Sequence, residues 1–533
     1  MFVSAASATL WGIDALPVSV EAFGGHGLPG LTLVGLARGA VRESLVRVRS
    51  ALQSVEASLS TTKLVVNMLP AELPKDASAL DLPLAVVLLA MAQKLPADSL
   101  RGRRFFGELS LGGTVQSVRG AVLLADLSRR ERDVELILPK SQAQEAAIIP
   151  GVRAIGVATL QQLLDHLRGE RVLEPCAPPA EVADTLTSSC LSEVHGQKRA
   201  KLALEVAAAG NHNLLLVGPP GSGKSMLASR LQGLLPKPTA EERIAITRIR
   251  AAVADTSNQK LQLAHVRPFR APHHSISDVA LVGGGAKVSP GEITLAHLGV
   301  LFLDELPEFS RRALEALREP LEAGSIRISR AMMSVLMPSE VLLVAAMNPC
   351  PCGQLRPPGR AYGQGRPCLC AMEQVQRYRA RISGPLLDRI DLRVQVAPVP
   401  FAALCGPQRP WGRSPTETSA EVRQRVAAAR QRQSDRLGPG RTNASMTSVE
   451  LQTFAPLTGK VAQIVRGAMH RYDLSARSVT RVLKVARTVA DLSGRQTVCA
   501  EDVVLALKLR LWERPVTPGS GKKKAAPHGG AAP

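Results

Sequence analysis

Residues 213–229, NLLLVGPPGSGKSMLAS, constrain this chain more than any other stretch. The apolar run at 214–217 is short, continuous and stopped by glycine and proline, which predicts a buried strand. Gly218-Pro219-Pro220-Gly221-Ser222-Gly223-Lys224-Ser225 then satisfies every fixed position of G-x-x-x-x-G-K-[ST]. Glycines at those places let backbone N–H groups turn inward around phosphate oxygens. Lys224 is placed to reach β- and γ-phosphates and Ser225 to offer a hydroxyl to Mg²⁺. The following helix points its N-terminus at the anion. A chance glycine-rich turn is the alternative, and the flanking strand and helix argue against it. The reading is a site for ATP with Mg²⁺.

A second stretch supplies what such a loop needs. Residues 300–305, VLFLDE, form an apolar run ending in two carboxylates. Asp304 would hold Mg²⁺ through water, and Glu305 would polarise the attacking water as general base. A third strand is expected at 341–347, and it delivers Asn348, whose amide can orient that water.

Length and charge set the outer bounds. A chain of 533 residues has room for two to four domains, each with its own core. There are 66 Lys and Arg against 45 Asp and Glu, a formal net charge of +21. That balance favours a polyanionic partner such as nucleic acid, with acidic membranes or proteins as alternatives. Aromatic residues make up only 3%, so phosphate contact is expected to outweigh base stacking. The densest apolar window, 82–92, is short and interrupted by Pro83, and the first residues lack a basic leader. A soluble, cytoplasmic protein with no membrane span is expected.

Eight cysteines in such a chain do not indicate a disulfide framework. Cys176, Cys190, Cys405 and Cys499 are scattered. Cys350, Cys352, Cys368 and Cys370 form two C-x-C pairs around a Gly/Pro/Arg-rich insert. Four thiolates at that spacing can close a tetrahedral structural Zn²⁺ site; free thiols in a loop are the alternative. The position directly after Asn348 favours a structural role over a catalytic one.

In chain order, residues 1–168 alternate strand-like runs (64–69, 135–138, 153–157) with helical ones (38–53, 82–93, 160–167), an α/β pattern without a phosphate loop. A proline-bearing linker spans 169–189, the nucleotide module 190–398 and a second linker 399–415. Helical regions at 419–436 and 448–511 lie within a C-terminal domain, 416–514. The tail, 515–533, is a basic, disordered segment by composition. No internal repeat is present.

Six segments then occur in a telling order: GPPGSGKS, APHHSISDVALVGGG, PGEITLAHLGVLFLDELPEFSRRALEALREPLE, AAMNPCPCG, RISGPLLDRIDL and SARSVTRVLKVARTVADL. Together they resemble the ComM/YifB family of magnesium-chelatase-like AAA+ ATPases, over nearly the whole chain to about residue 511. The resemblance implies an α/β fold class: an AAA+ P-loop core with a helical lid, preceded by a Lon-protease-like α/β domain. It also implies a hexameric ring acting as a DNA helicase that drives branch migration in recombination or natural transformation. The family pattern places a trans-acting arginine at Arg389, within LLDRID, and a cis phosphate-sensing arginine at Arg477, with Arg481 one turn away as competitor. A surface ion pair is the alternative role for Arg389.

The basic insert VGGGAK, ending at Lys287, is similar to the pore-facing insert of related motors. Arg327 and Arg330 lie on an expected hairpin, and period 2 turns Arg327 away from Ile326 and Ile328. Lys287, Arg327 and Arg330 are the candidates to touch DNA phosphates, against the alternative of a solvated charged face. His273 and His274 are adjacent and poorly placed to share a metal on a regular strand, so packing is expected. Ser78 stands where Lon-type proteases carry their nucleophile. Val122 occupies the matching position of the lysine base, and Arg119 is too firmly protonated to replace it, so the domain reads as proteolytically dead. A chelatase-type motor remodelling a protein or porphyrin partner is the second functional class; its likeness is expected to cover only the ATPase part.

Overall fold

The structure is a computed structural model and describes residues 1–26, 28, 30–35, 38–57, 63–73, 75, 78–179, 190–254, 262–285, 288–329, 334–355, 367–398 and 417–511, with the side chains of 38–42 excepted. It is a mixed α/β protein with two compact units that do not follow chain order. The first comprises Met1–Thr187, Pro236–Leu301 and Phe309–Leu342; the second comprises Ser188–Leu235, Phe302–Glu308 and Leu343–Pro533.

The first unit is built on seven strands: β1 (Phe2–Trp11), β2 (Asp14–Gly25), β3 (Gly30–Val34), β4 (Lys63–Leu69), β5 (Arg103–Phe105), β8 (Glu135–Pro139) and β9 (Ala154–Val157), in the order β3-β4-β2-β1-β5-β8-β9. β1 and β2 run antiparallel from Phe2↔Phe23 to Trp11↔Asp14, and β5, β8 and β9 continue the sheet in parallel. Two short strands, β6 (Glu108–Leu109) and β7 (Val115–Gln116), pair as a ribbon. The helix Asp81–Met91 is buried at all eleven positions. Its sequence, DLPLAVVLLAM, is apolar all round, so it lies inside the core rather than on a solvated face. Pro83 is tolerated because it falls in the first turn, where no intrahelical N–H bond is lost.

Also in this unit, Thr239 and Glu242 cap the helix Ala240–Val253 reciprocally. The short strands β11 (Phe269–Arg270), β12 (Gly283–Gly284) and β13 (Ser289–Pro290) follow. β15 (Ser325–Ser329) and β16 (Ser334–Pro338) form a hairpin with Arg327 opposite Leu336. Ile326 is buried and Arg327 exposed, as a two-residue period requires.

The second sheet has the order β11-β14-β17-β10-β18, with β10 (Leu214–Val217), β14 (Val300–Leu303), β17 (Leu342–Met347) and β18 (Leu392–Gln395). β10 is parallel to both neighbours, with Leu214 opposite Val344 on one side and Leu392 on the other. Every residue of β10, β14 and β17 is buried, which explains their unbroken apolar sequences. The expected C-terminal helical region resolves into Ser448–Phe454, Gly459–Tyr472, Ala476–Leu492 and Ala500–Arg510, after the long helix Ser419–Leu437. The expected linker at 399–415 and the tail at 515–533 lie outside the described residues. No helix among the described residues is long and apolar enough to cross a membrane.

Candidate functional site

Because β10 and β17 are parallel, the segments leaving them emerge at one edge: the glycine-rich loop after Val217 and Asn348 after Met347. Gly221 and Gly223 take φ of +73° and +87°, conformations that L side chains adopt at a cost, and the helix Lys224–Leu231 starts directly after them. Lys224 Nζ donates to the carbonyls of Gly218 (2.8 Å) and Pro219 (2.9 Å) and to Asn348 Oδ1 (3.2 Å). Burial lowers the Lys224 pKa, and the charges of Asp304 and Glu305 oppose that shift. Ser225 Oγ donates to Asp304 Oδ2 at 2.6 Å. The two groups expected to share Mg²⁺ are therefore adjacent. Among the described residues, Ser222 Oγ is buried with no hydrogen-bond partner, a polar atom of the loop left to a bound group.

Asp304 Oδ1 accepts the N–H of Glu305 at 2.9 Å. Glu305 is exposed and its backbone is left-handed, with φ +51°. A non-glycine residue held there costs on the order of 1 kcal/mol or more, and such strain concentrates where a side chain must be aimed. Glu308 closes the turn by donating its N–H to the Glu305 carbonyl and pairs with Arg381 at 2.7 Å.

Two residues that sequence reasoning missed support Asn348. The helix Met372–Arg379 turns Val375 and Tyr378 inward. Its Arg379 donates twice to the Pro349 carbonyl, at 3.1 and 2.9 Å. Tyr378 hydrogen-bonds the Asn348 backbone, and burial, followed by the nearby Glu308 charge, pushes its pKa up to about 12. The only sequence signal was the three-residue spacing of Val375 and Tyr378.

The four cysteines come together. Cys350 Sγ lies 3.4 Å from Cys352 Sγ and 3.7 Å from Cys368 Sγ, and Cys352 lies 3.6 Å from Cys368. All four sulfurs fall within 4.8 Å of one another. Burial pushes the Cys350 thiol up to about 12, whereas the Gln354 N–H holds Cys352 down at about 6. This donor set, four thiols around one point, fits a single soft or borderline divalent ion.

The arginines sit elsewhere in the same unit. Arg389 is 8% exposed and donates from Nη1 to the Pro385 carbonyl at 2.9 Å, while its own carbonyl accepts from Asn213 Nδ2. Arg477 is exposed in the first turn of Ala476–Leu492. Arg481 pairs with buried Asp391. His212 reaches Asp391 at 3.4 Å and Thr488 Oγ1 at 2.7 Å. Burial would raise the Asp391 pKa, but His212 and then Arg481 overcome it and hold the carboxyl at about 2.

In the first unit, Arg327 is exposed, while Lys287 and Arg330 lie outside the described residues. The His273 and His274 rings pack against each other at 4.1 Å, and His273 bonds Ser275. Ser78 opens a single 3₁₀ turn, Arg119 is exposed, and Val122 is fully buried in the helix Ala121–Glu131.

Comparison with known proteins gives the family. The family described as magnesium chelatase, subunit ChlI, matches residues 190–404, and its C-terminal counterpart matches 416–510. A third, subunit ChlI of Mg-chelatase, matches residues 20–142. That corrects the expectation that likeness to chelatase subunits stops at the ATPase part. YifB of Escherichia coli K12 is 42% identical over 94% of this chain and 96% of its own length. Competence protein ComM of Haemophilus influenzae is 41% identical over 94% and 96%. A protein of Mycobacterium tuberculosis H37Rv is 41% identical over 95% and 97%. The fold and site define a magnesium-chelatase-like protein with an AAA+-type core. Within that class, the chain belongs to the ComM/YifB family.

Proposed function

We propose that this chain is an AAA+ ATP hydrolase that assembles as a hexameric ring in the cytoplasm and moves along duplex or branched DNA, driving branch migration in recombination or natural transformation. The observation that carries the reading is the convergence of Lys224, Ser225, Asp304 and Asn348, with Glu305 next in the chain on a left-handed backbone. Gly218 to Ser225 would hold the phosphates, and Ser225 with Asp304 would hold Mg²⁺, which screens phosphate charge when bound. Glu305 would take the proton of the attacking water, and Asn348 would orient that water. Arg389 would act on a neighbouring subunit's γ-phosphate, exchanging the Pro385 carbonyl for it, and Arg477 would sense phosphate in its own subunit. The four cysteines would hold structural Zn²⁺.

The DNA reading is supported by the net charge of +21, by exposed Arg327 with Lys287 and Arg330 as fellow candidates, and by the name Competence protein ComM borne by one relative. The test is branch migration of a labelled synthetic Holliday junction with ATP. Wild type is expected to exchange strands, whereas Glu305→Gln and Lys224→Ala are not. ATPase activity indifferent to any DNA, with no exchange, would remove the DNA motor. The second reading, a chelatase-type motor on a protein or porphyrin partner, is favoured by the family matches, including that at 20–142. It predicts ATPase stimulated by such a partner and not by DNA.

A further inference from the structure

The four cysteines lie on two described segments, 349–355 and 367–371, and each segment is fastened to the phosphate site. Cys350 lies two residues after Asn348 and is fully buried. Its sulfur accepts the Leu355 N–H at 3.3 Å. Between them, Gly353 has φ +75° and lies so close to the phosphate loop that a Cβ there would collide with Pro220 Cδ. At the other end, Cys370 leads directly into the helix Met372–Arg379, which returns Arg379 to the Pro349 carbonyl and Tyr378 to the Asn348 backbone. The cysteines are thus the point where two strands of chain, one carrying Asn348 and the other its two supports, are joined.

We propose that Cys350, Cys352, Cys368 and Cys370 bind one Zn²⁺ and that this ion fixes Asn348 and the phosphate loop, so that zinc occupancy controls nucleotide turnover; the turnover part rests on the ATPase reading above. Bonds of about 2.3 Å in a regular tetrahedron place sulfurs roughly 3.8 Å apart. Cys350, Cys352 and Cys368 lie 3.4, 3.6 and 3.7 Å apart and all four sulfurs fall within 4.8 Å of one another, close to what a single ion requires. Without the ion, four thiols at this spacing would repel as thiolates or bond weakly as thiols, and the two chain segments would be held by the Arg379 and Tyr378 contacts alone. With it, the segments are tied beside Pro220, and Lys224 finds its amide acceptor in a fixed place. Zinc here positions residues and touches no substrate.

The full chain, purified without chelators, is expected to carry about one zinc per subunit by elemental analysis. No metal, or iron in its place, overturns the proposal. In Cys368→Ser/Cys370→Ser, zinc should be lost and amide exchange in residues 214–231 and 342–349 should quicken about tenfold or more. Exchange in the helix Asp81–Met91 of the other unit should not move. ATP turnover should fall about tenfold with a smaller change in KM. Chelator treatment of the wild type gives the same reading if the variant does not fold. Unchanged exchange in 214–231 after zinc loss overturns the coupling, whatever the ATPase does. Conversely, exchange that responds in a protein without ATPase leaves the metal role standing and removes the ATPase reading. Gly353→Ala separates the ion from its effect: it should keep zinc yet weaken ATP several-fold, because the new methyl displaces Pro220. Wild-type affinity in that variant would count against the contact.

Discussion

Two acidic sites, one in each unit, are built to opposite ends. Asp81 is fully buried, and its two oxygens accept from Ser44 Oγ at 2.6 Å, Arg47 Nε at 2.6 Å, Arg47 Nη2 at 3.2 Å and the Leu109 N–H at 3.3 Å. Burial still raises its pKa against those donors. Asp304 and Glu305 stand at the solvent edge, where the Asp304 carboxylate accepts from Ser225 Oγ and from the Glu305 N–H, and Glu305 is left-handed between strand and turn. The first arrangement consumes its hydrogen-bonding capacity internally and has nothing to offer a ligand. The second leaves Asp304 partly and Glu305 openly exposed to solvent, with Glu305 on a left-handed backbone. Saturation marks a carboxylate that serves folding; a strained, half-solvated one marks a carboxylate kept for something that binds.

The largest expected effect is at the outward site. Glu305→Gln should lower ATP turnover on the order of 10²-fold or more while leaving nucleotide binding and the melting temperature intact; normal turnover in single-turnover assays would break the contrast. Asp81→Ala should do the reverse. It should cost about 3 kcal/mol in denaturant titration by stranding Arg47, with KM for ATP unchanged in the folded fraction. A shifted KM would mean that Asp81 is not purely internal.

The cluster around Asp391 sharpens the comparison by adding pH. Its carboxyl lies at about 2, below the ordinary 3.8, so its stabilisation is present above the higher value and is lost as pH falls through the lower one. Roughly 2 kcal/mol should disappear over that window, and Asp391→Asn should flatten that part of a stability-against-pH curve. Arg327→Ala should have the smallest effect, reducing the slope of log DNA affinity against log salt by about 1 without altering ATP binding.

Much of the outward site was legible in the sequence because its parts are contiguous strings. A glycine-rich octapeptide and an apolar run ending in Asp304-Glu305 each announce their own conformation. What joins them is not local. Lys224 meets Asn348 across 124 positions and His212 meets Asp391 across 179, and no spacing rule reaches that far. Tyr378 and Arg379 gain their roles only when their helix returns to Pro349. The strands β1 and β2 are not legible in the sequence either. FVSAASATLW is rich in alanine and serine, which favour strands weakly, and its extended form is secured by pairing with β2 and with β5, a hundred residues away.

The three acceptors on Lys224 carry a consequence for how nucleotide arrives and leaves. Two loop carbonyls and an amide already solvate the ammonium group, so the loop holds an internal competitor for its own lysine. Phosphate capture is then an exchange of partners, and affinity is the difference between two sets of charge-assisted bonds rather than the strength of either. The same exchange run backward gives the lysine somewhere to go when the spent nucleotide departs, which lowers the barrier to release. A loop that never lets its cation stand unsolvated trades grip for speed of exchange.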